Sequence, residues 1–123
     1  MIERYSTPEM TALWSDEHKL AVWKEVETLV VEAWVELGSA PAEAAAAARQ
    51  APEVDREEWL ERERTTNHDV AAFVDLLAGS VETGGEWIHF GLTSSDVLDT
   101  ASGVLLQESG ELLLKATADL YDT

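Results

Sequence analysis

The 123-residue sequence predicts an all-α fold. No stretch alternates apolar and polar residues with the period of two that is typical of a half-buried strand. Apolar residues instead recur every three or four positions, which is the spacing of one face of a helix. Helix-capping residues also stand directly before several of these periodic segments. A chain of this length forms one domain, or one domain and part of another.

The first predicted helix begins after Ser15, a typical N-cap, and ends at Gly38, where a left-handed residue closes many helices. Its apolar face consists of Leu20, Trp23, Val26, Val30, Trp34 and Leu37. Pro41 then breaks the chain, and the alanine-rich run from 42 to 48 predicts a short second helix because alanine has the highest helix propensity.

The next two helices are predicted from their ends. Asp55, with Glu58 three residues later, is typical of a reciprocal cap for a helix through about Arg64. Residues 65–67, Thr-Thr-Asn, interrupt the pattern with capping residues, and another helix follows that ends near Gly79. The apolar face of that helix consists of Val70, Phe73, Val74 and Leu77.

A last helix is predicted from Ser95 towards Leu120. Its apolar positions are Val97, Ala101, Val104, Leu105 and Leu112. Gly103 and Gly110 weaken it, but no helix-stop signal follows. We therefore expect this segment to continue in a longer protein and to need partner helices, because a lone helix with a broad apolar face is not stable in water.

The net charge of the chain bears on which classes of binding partner it can have. Its net charge is −17, from 25 acidic and 8 basic residues, so we expect no binding to nucleic acid, whose phosphates would be repelled. Only three lysines accompany 17 glutamates, which suggests the hypothesis of a cytoplasm of high salt, where counterions screen the repulsion. If so, the melting temperature should rise between low and molar KCl, and an unchanged value would remove the hypothesis.

Composition also bears on location. The chain has no cysteine, so disulfides, thiol nucleophiles and cysteine-ligated metals are excluded. No apolar run approaches the ~20 residues of a membrane span, and the first residues lack the apolar core of a signal peptide. We expect a soluble cytoplasmic protein that does not bind membranes.

Three clusters place polar side chains at predicted helix entrances instead of on the charged faces. They are Arg4-Tyr5-Ser6, Asn67-His68-Asp69, and His89 with Thr93-Ser94-Ser95-Asp96. Backbone N–H groups at the start of a helix have no intrahelical partner and form a ready site for an anion. Phosphate or carboxylate is the ligand expected there.

Each cluster also has a purely structural interpretation. Residues 93–96 read as a capping box, in which a hydroxyl bonds a first-turn amide and Asp96 reaches back, although capping uses only one of the three hydroxyls. His68 could simply be hydrogen-bonded by Asp69 or solvent, and His89 a partly buried, satisfied histidine. Arg4 could be a solvated charge on a poorly structured terminus. The spacing matches no template for a metal site.

The motifs resemble a known enzyme family. "MIERYSTPEM", "LWSDEHKLAVWKEVE", "TTNHDVAAFV" and "IHFGLTSSDVLDTA" are similar, in this order and spacing, to the N-terminal part of the adenylosuccinate lyase family, in the fumarase and aspartase superfamily. The resemblance covers essentially the whole chain. It implies a homotetrameric helical lyase whose active sites are assembled from three subunits around a bundle of long helices, with no cofactor.

The resemblance also implies roles for the candidate residues. Arg4 and Tyr5 would contact the nucleotide, and residues Asn67, His68 and Asp69 would line the phosphate and succinyl side. Thr93 and Ser94 would hold a substrate carboxylate, with His89 in a secondary positioning role and Ser95 and Asp96 holding the helix entrance. The implied reaction is β-elimination of fumarate from adenylosuccinate to give AMP, and from the succinylated aminoimidazole carboxamide ribotide of purine biosynthesis.

In the family the general acid is a histidine further along the chain and the base is a serine on a mobile loop, and neither falls in these 123 residues. We therefore expect no catalytic residue in this chain and no lyase activity from it alone. The expected organisation is an N-terminal helical domain over 1–92 and the start of the central-bundle domain over 93–123. The alternatives are another lyase or cycloisomerase of the superfamily, and a free-standing acidic helical interaction module.

Overall fold

A computed structural model describes residues 3–122, and over that range the chain is helical with no strand. The helices are α1 (Pro8–Leu13), α2 (Asp16–Glu36), α3 (Ala42–Gln50), α4 (Arg56–Thr66), α5 (Asp69–Gly79) and α6 (Ser94–Tyr121). Short 3-10 turns occupy Glu3–Tyr5 and Gly85–Trp87. The all-α prediction is confirmed. Met1, Ile2 and Thr123, at the outer ends of the two predicted domains, lie outside the described residues.

The longest predicted helix of the first ninety residues, α2, has the predicted ends. The Ser15 hydroxyl accepts a hydrogen bond from the His18 N–H at 3.1 Å, and Gly38 takes the left-handed conformation at φ +70°. Both signals are local, since a cap and a left-handed glycine need only their own neighbours.

The junction between α4 and α5 differs in detail from the prediction. Asp55 caps α4 by accepting from the N–H groups of residues 57 and 58 at 2.9 and 3.0 Å, but Glu58 makes no reciprocal bond within residues 3–122. The helix continues to Thr66 and ends at Asn67, which is left-handed at φ +51°. Asparagine tolerates this conformation better than most residues do, so it closes α4 and does not open α5.

Helix α1 was not predicted, because its six residues are too short to show a periodic apolar face. Its start is nevertheless encoded locally by the Thr7 hydroxyl, which accepts from the Met10 N–H at 3.3 Å, and by Pro8 at the first helical position. The indole N–H of Trp14 donates to the Ser109 hydroxyl at 3.0 Å, which docks the end of α1 on α6. Arg4 lies in the preceding 3-10 turn, so the expectation of a poorly structured terminus was wrong there.

The core forms around α2, which contacts α3, α4 and α6. The Trp23 ring meets the edges of Trp59 and Phe73 with centroid distances of 6.1 and 5.5 Å. The predicted face of α2 was partly wrong: Leu37 is exposed, whereas Glu27 and Thr28 are fully buried. Helices pack on α2 from more than one side, so its buried surface is wider than a single apolar stripe.

Helix α6 buries one line of residues spaced by four: Val97, Ala101, Leu105 and Ser109. Val104, which was predicted to face the core, is exposed, because α1 and α2 cover only this single line. Large apolar side chains further along the helix are exposed, namely Leu106, Leu113, Leu114, Leu120 and Tyr121. Among the described residues, no helix is long and apolar enough to cross a bilayer.

The turn before the second 3-10 segment requires glycine. Gly84 has φ +77°, and a Cβ at this residue would lie 2.7 Å from the Cα of Ala44 in α3. Gly84→Ala should therefore lower the free energy of unfolding by about 1–3 kcal/mol, the usual cost of a strained backbone position. Gly103→Ala is the matched control, because Gly103 is helical with open space around it and alanine should stabilise it by roughly 1 kcal/mol. Equal midpoints for the two variants in urea unfolding would contradict this account.

Candidate functional site

Two of the three predicted clusters meet at the start of α6. His68 is the N-cap of α5, and its Nδ1 accepts a hydrogen bond from the Ala71 N–H at 3.3 Å. Its Nε2 lies 3.2 Å from the Ser94 hydroxyl. Because Nδ1 accepts, the neutral ring carries its proton on Nε2 and donates it to Ser94. The turn is held by Thr66, whose hydroxyl donates to the His68 carbonyl at 2.9 Å.

Asp69 and Asn67, on either side of His68, differ in their hydrogen bonds. The Asp69 carboxylate accepts from the Val70 N–H at 2.8 Å and lies 3.4 Å from His68 Nδ1, so it supports the start of α5. The His68 ring bonds Ala71 and Ser94, and Asp69 also lies within ion-pair distance of its Nδ1. The exposed Asn67 side chain makes no hydrogen bond within residues 3–122 and is free to meet a ligand.

The start of α6 is capped by a carboxylate, as predicted. The Asp96 carboxylate accepts from the Thr93 N–H at 2.7 Å and from the Thr93 hydroxyl at 3.0 Å. The Thr93 hydroxyl thus donates to Asp96. Ser95 was expected to help hold this entrance, but its exposed hydroxyl makes no bond among the described residues, so that expectation was wrong. The N–H groups of Ser94 and Ser95, in the first helical turn, have no intrahelical acceptor.

The bonds from Thr93 hold the pKa of the Asp96 carboxyl below its ordinary value, first through the backbone N–H, then through the hydroxyl, with a smaller contribution from the charge of His89. A carboxyl whose pKa is lowered by folding stabilises the fold above its ordinary pKa, and this stabilisation is lost as pH falls through the lowered value. His89 lies one turn before the α6 entrance, where its carbonyl accepts from the Leu92 N–H at 3.2 Å.

Asp96→Asn should therefore be less stable than Asp99→Asn at neutral pH, although both remove one negative charge from α6. Asp99 is an exposed residue of the same helix and is the matched control. The difference should shrink as pH falls below about 4, where carboxyl groups begin to protonate in the unfolded chain. Urea unfolding of both variants across pH measures it, and a difference that stays constant into acid would refute the role of the Asp96 charge.

His89 lies in the loop before α6 in a left-handed conformation, φ +63°. Its backbone N–H donates to Glu27 Oε2, and its ring Nδ1 lies 2.7 Å from Glu27 Oε1. The His89 side chain is 23% exposed and that of Glu27 is 0% exposed. The prediction of a partly buried, satisfied histidine is confirmed.

The rest of this loop is also held by α2. The Trp34 indole N–H donates to the Phe90 carbonyl at 3.0 Å, and the two rings meet edge to face at 5.5 Å. Gly91 has φ +78°, and a Cβ there would lie 3.1 Å from the Trp34 ring. The path of the chain from His89 to the start of α6 is therefore fixed by the middle and end of α2.

Arg4 and Tyr5 lie away from this cluster. Arg4 stacks on the exposed Tyr5 ring at 4.8 Å, and both precede α1. The end of α1 docks on α6 where the Trp14 indole N–H donates to the Ser109 hydroxyl at 3.0 Å. At ~1.5 Å per residue, Ser109 stands about 22 Å along α6 from Ser94. One chain therefore does not bring the third cluster to the other two.

Glu27 was not predicted as a site residue, yet it bonds the candidate residue His89 directly. Its position offered a signal, because Glu27 follows Trp23 by one helical turn and so falls on the apolar face of α2. An acid on such a face needs a buried partner. No group of three potential ligand side chains for a metal ion occurs within residues 3–122.

Sequence comparison finds relatives along almost the whole chain. The chain is 47% identical over 115 residues to an adenylosuccinate lyase of Bacillus subtilis (strain 168), and 41% identical over 122 residues to one of Thermotoga maritima. The predicted resemblance to adenylosuccinate lyase is confirmed. These matches cover 94% and 99% of this chain but 27% and 28% of the two adenylosuccinate lyases, so the chain spans about a quarter of their length. No protein-family model matches it.

Structural comparison agrees on the fold. The crystal structure of a fumarate lyase from Mesorhizobium sp. BNC1 matches with a TM-score of 0.80, at 24% sequence identity, over 89% of this chain and 26% of that one. A solved lyase thus contains a similar helical arrangement over about a quarter of its own length.

Proposed function

We propose that this chain supplies part of the substrate site of an adenylosuccinate lyase, as the N-terminal part of that enzyme. The observation that carries the proposal is the 3.2 Å contact between His68 Nε2 and the Ser94 hydroxyl at the start of α6. It joins two motifs that lie 26 residues apart in the sequence and that belong to the resemblance. An interaction module that docks through its surface helices would not need these groups to meet.

The chemistry of the proposed reaction suits such an arrangement. Adenylosuccinate loses a proton from a carbon next to a carboxylate, so negative charge builds up on that carboxylate before fumarate leaves. Hydrogen-bond donors aimed at this charge lower the barrier because they bind the transition state more tightly than the substrate. The His68 ring, the Ser94 hydroxyl and the free N–H groups at the positive end of α6 are donors of this kind.

Thr93 and Asn67 complete the proposed contacts in different ways. The Thr93 hydroxyl donates to Asp96 in this structure, so as a contact to the substrate carboxylate it would have to turn from Asp96 to the ligand. Asn67 offers an unused amide beside His68, on the side where we place the phosphate or succinyl group. Asp69 supports His68 through the start of α5. His89, in the loop before α6, is the proposed positioning group.

We also propose that the complete site is assembled from several subunits of a homotetramer. Two observations support this. Arg4 and Tyr5, the proposed nucleotide contacts, precede α1, whose end docks on α6 at Ser109, about 22 Å along the helix from Ser94, so we propose that they serve a site in another copy. The exposed leucines on the second half of α6 are a surface that further copies of α6 would cover in a helical bundle. We place the boundary between the N-terminal and bundle domains at residues 92 and 93.

The proposed general acid and base are contributed by other parts of the enzyme, so the 123-residue chain alone should release no fumarate from adenylosuccinate above the rate in buffer. The test of function is a chimera in which residues 1–123 replace the corresponding segment of the Bacillus subtilis adenylosuccinate lyase, to which the match is 47% identical. The chimera should release fumarate from adenylosuccinate.

Circular dichroism and light scattering on the chimera provide the control for folding and assembly. A folded chimera with the same subunit number as the parent enzyme but without fumarate release would overturn the proposed function. Fumarate release by the 123-residue chain alone would overturn the assignment of the acid and base to other parts of the enzyme.

A further inference from the structure

Glu27 is a fully buried acid whose two carboxylate oxygens are both used by one residue. Oε2 accepts from the His89 backbone N–H and Oε1 from the ring Nδ1, each at 2.7 Å. Burying a carboxylate is unfavourable unless its oxygens are bonded and its charge is compensated. Glu27 sits among Trp23, Val26 and Val31 on the buried side of α2, where an apolar residue would be the ordinary choice.

We propose that Glu27 is a positioning residue of the substrate site, acting through His89. The carboxylate keeps the His89 proton on Nδ1 and thereby leaves Nε2 as the ring nitrogen available to a ligand, in the turn that leads into α6. This inference rests on the proposed function for its ligand, the anionic substrate of the lyase. The geometry that supports it belongs to this chain alone.

Glu27 fixes the backbone as well as the ring. His89 is left-handed at φ +63°, a conformation that a residue with a side chain keeps only when its surroundings hold it. The hydrogen bond from the His89 N–H to Glu27 holds the backbone before the residue. The hydrogen bond from the Trp34 indole to the Phe90 carbonyl holds the backbone after it. With both the N–H and Nδ1 tied to one rigid carboxylate, the imidazole cannot turn over.

The two histidines of the site carry their ring protons on different nitrogens. Neutral His68 accepts at Nδ1 from Ala71 and carries its proton on Nε2, whereas neutral His89 carries its proton on Nδ1. His68 therefore presents a donor to the α6 entrance, and His89 presents an acceptor that becomes a donor when the ring is protonated. The charged groups that face the His89 ring are Glu27 on α2 and Asp96 on α6.

The first test measures the ring tautomers in the 123-residue chain by long-range ¹H–¹⁵N NMR, at a pH where the imidazoles are neutral. His89 should show the Nδ1–H form and His68 the Nε2–H form. In Glu27→Gln the amide oxygen must face the His89 backbone N–H, which can only donate, so the amide NH₂ faces Nδ1 and the His89 preference should weaken while His68 is unchanged. Glu36→Gln, an exposed position on α2, should alter neither ring.

A wild-type His89 with its proton on Nε2 would overturn the inference, and this holds even if Glu27→Gln does not fold. An unchanged His89 tautomer in folded Glu27→Gln would overturn it as well. This measurement needs no enzymatic activity, so its outcome is independent of whether the chain functions in a lyase.

The second test uses the active chimera. Glu27→Gln should lower kcat/KM for adenylosuccinate by about 10–100-fold, the usual effect of removing the group that orients a functional histidine, whereas Glu36→Gln should leave it unchanged. An active chimera in which folded Glu27→Gln retains full kcat/KM would refute the positioning role and leave the proposed function standing. An inactive but correctly assembled chimera would instead refute the proposed function, while the NMR result still decides the tautomer.

Discussion

In the chimeric lyase, His68→Asn should lower kcat/KM for adenylosuccinate by about 10²–10³-fold, the loss expected when one donor to a developing oxyanion is removed. Asparagine is a preferred N-cap, so its side-chain oxygen can still accept from the Ala71 N–H that His68 Nδ1 now bonds. It is too short to reach Ser94, which now lies 3.2 Å from Nε2. The substitution therefore removes the donor and keeps the helix cap.

His18→Asn is the matched control for this prediction. His18 is a half-exposed histidine whose Nε2 lies 2.7 Å from a Glu108 oxygen, in a contact between α2 and α6. It should change kcat/KM little. The measurement is steady-state fumarate release with both variants at equal folded fraction. If His68→Asn retained the activity of His18→Asn, the site at the start of α6 would have no part in the reaction.

His89→Ala should lower the free energy of unfolding of the chain by about 1–3 kcal/mol, because it removes the ring N–H from which the buried Glu27 Oε1 accepts. The double variant Glu27→Leu/His89→Ala should recover much of this loss, since an apolar side chain of similar size can occupy the buried position. Removing both groups of a buried pair is generally much less harmful than removing one.

Urea unfolding followed by circular dichroism measures both variants. His18→Ala provides the comparison, because its pair with Glu108 is partly exposed on both sides and such pairs contribute only about 0–1 kcal/mol. If the double variant were less stable than His89→Ala by itself, Glu27 would not be an ionised group that depends on His89, and the positioning role would lose its physical basis.

The elements that could be predicted from the sequence are those with short-range signals. Ser15 and Gly38 mark the ends of α2, and Asp96 reaches back to Thr93 at the start of α6, through contacts spanning at most a few residues. Helix α1 could not be predicted because its six residues show no period, although its Thr7-Pro8 start is a recognisable cap. The exposure of Val104 also escaped prediction, since it depends on which neighbours cover α6.

The candidate site was predicted in its chemistry but not in its arrangement. Residue types and helix starts identified His68 and Ser94, yet their contact spans 26 residues and depends on how α5 and α6 pack. The Glu27–His89 pair spans 62 residues and was missed because Glu27 was taken as one of many acids. An acidic residue on an otherwise apolar helix face is the sequence signal by which such a buried pair could be predicted.

The central claim is that His68 and Ser94 at the start of α6 contact the substrate of an adenylosuccinate lyase. A crystal structure of the chimera with AMP and fumarate bound tests it most directly. A carboxylate or phosphate oxygen should lie within hydrogen-bonding distance of His68 Nε2 or the Ser94 hydroxyl. Products bound in an ordered site that touches neither residue would contradict it.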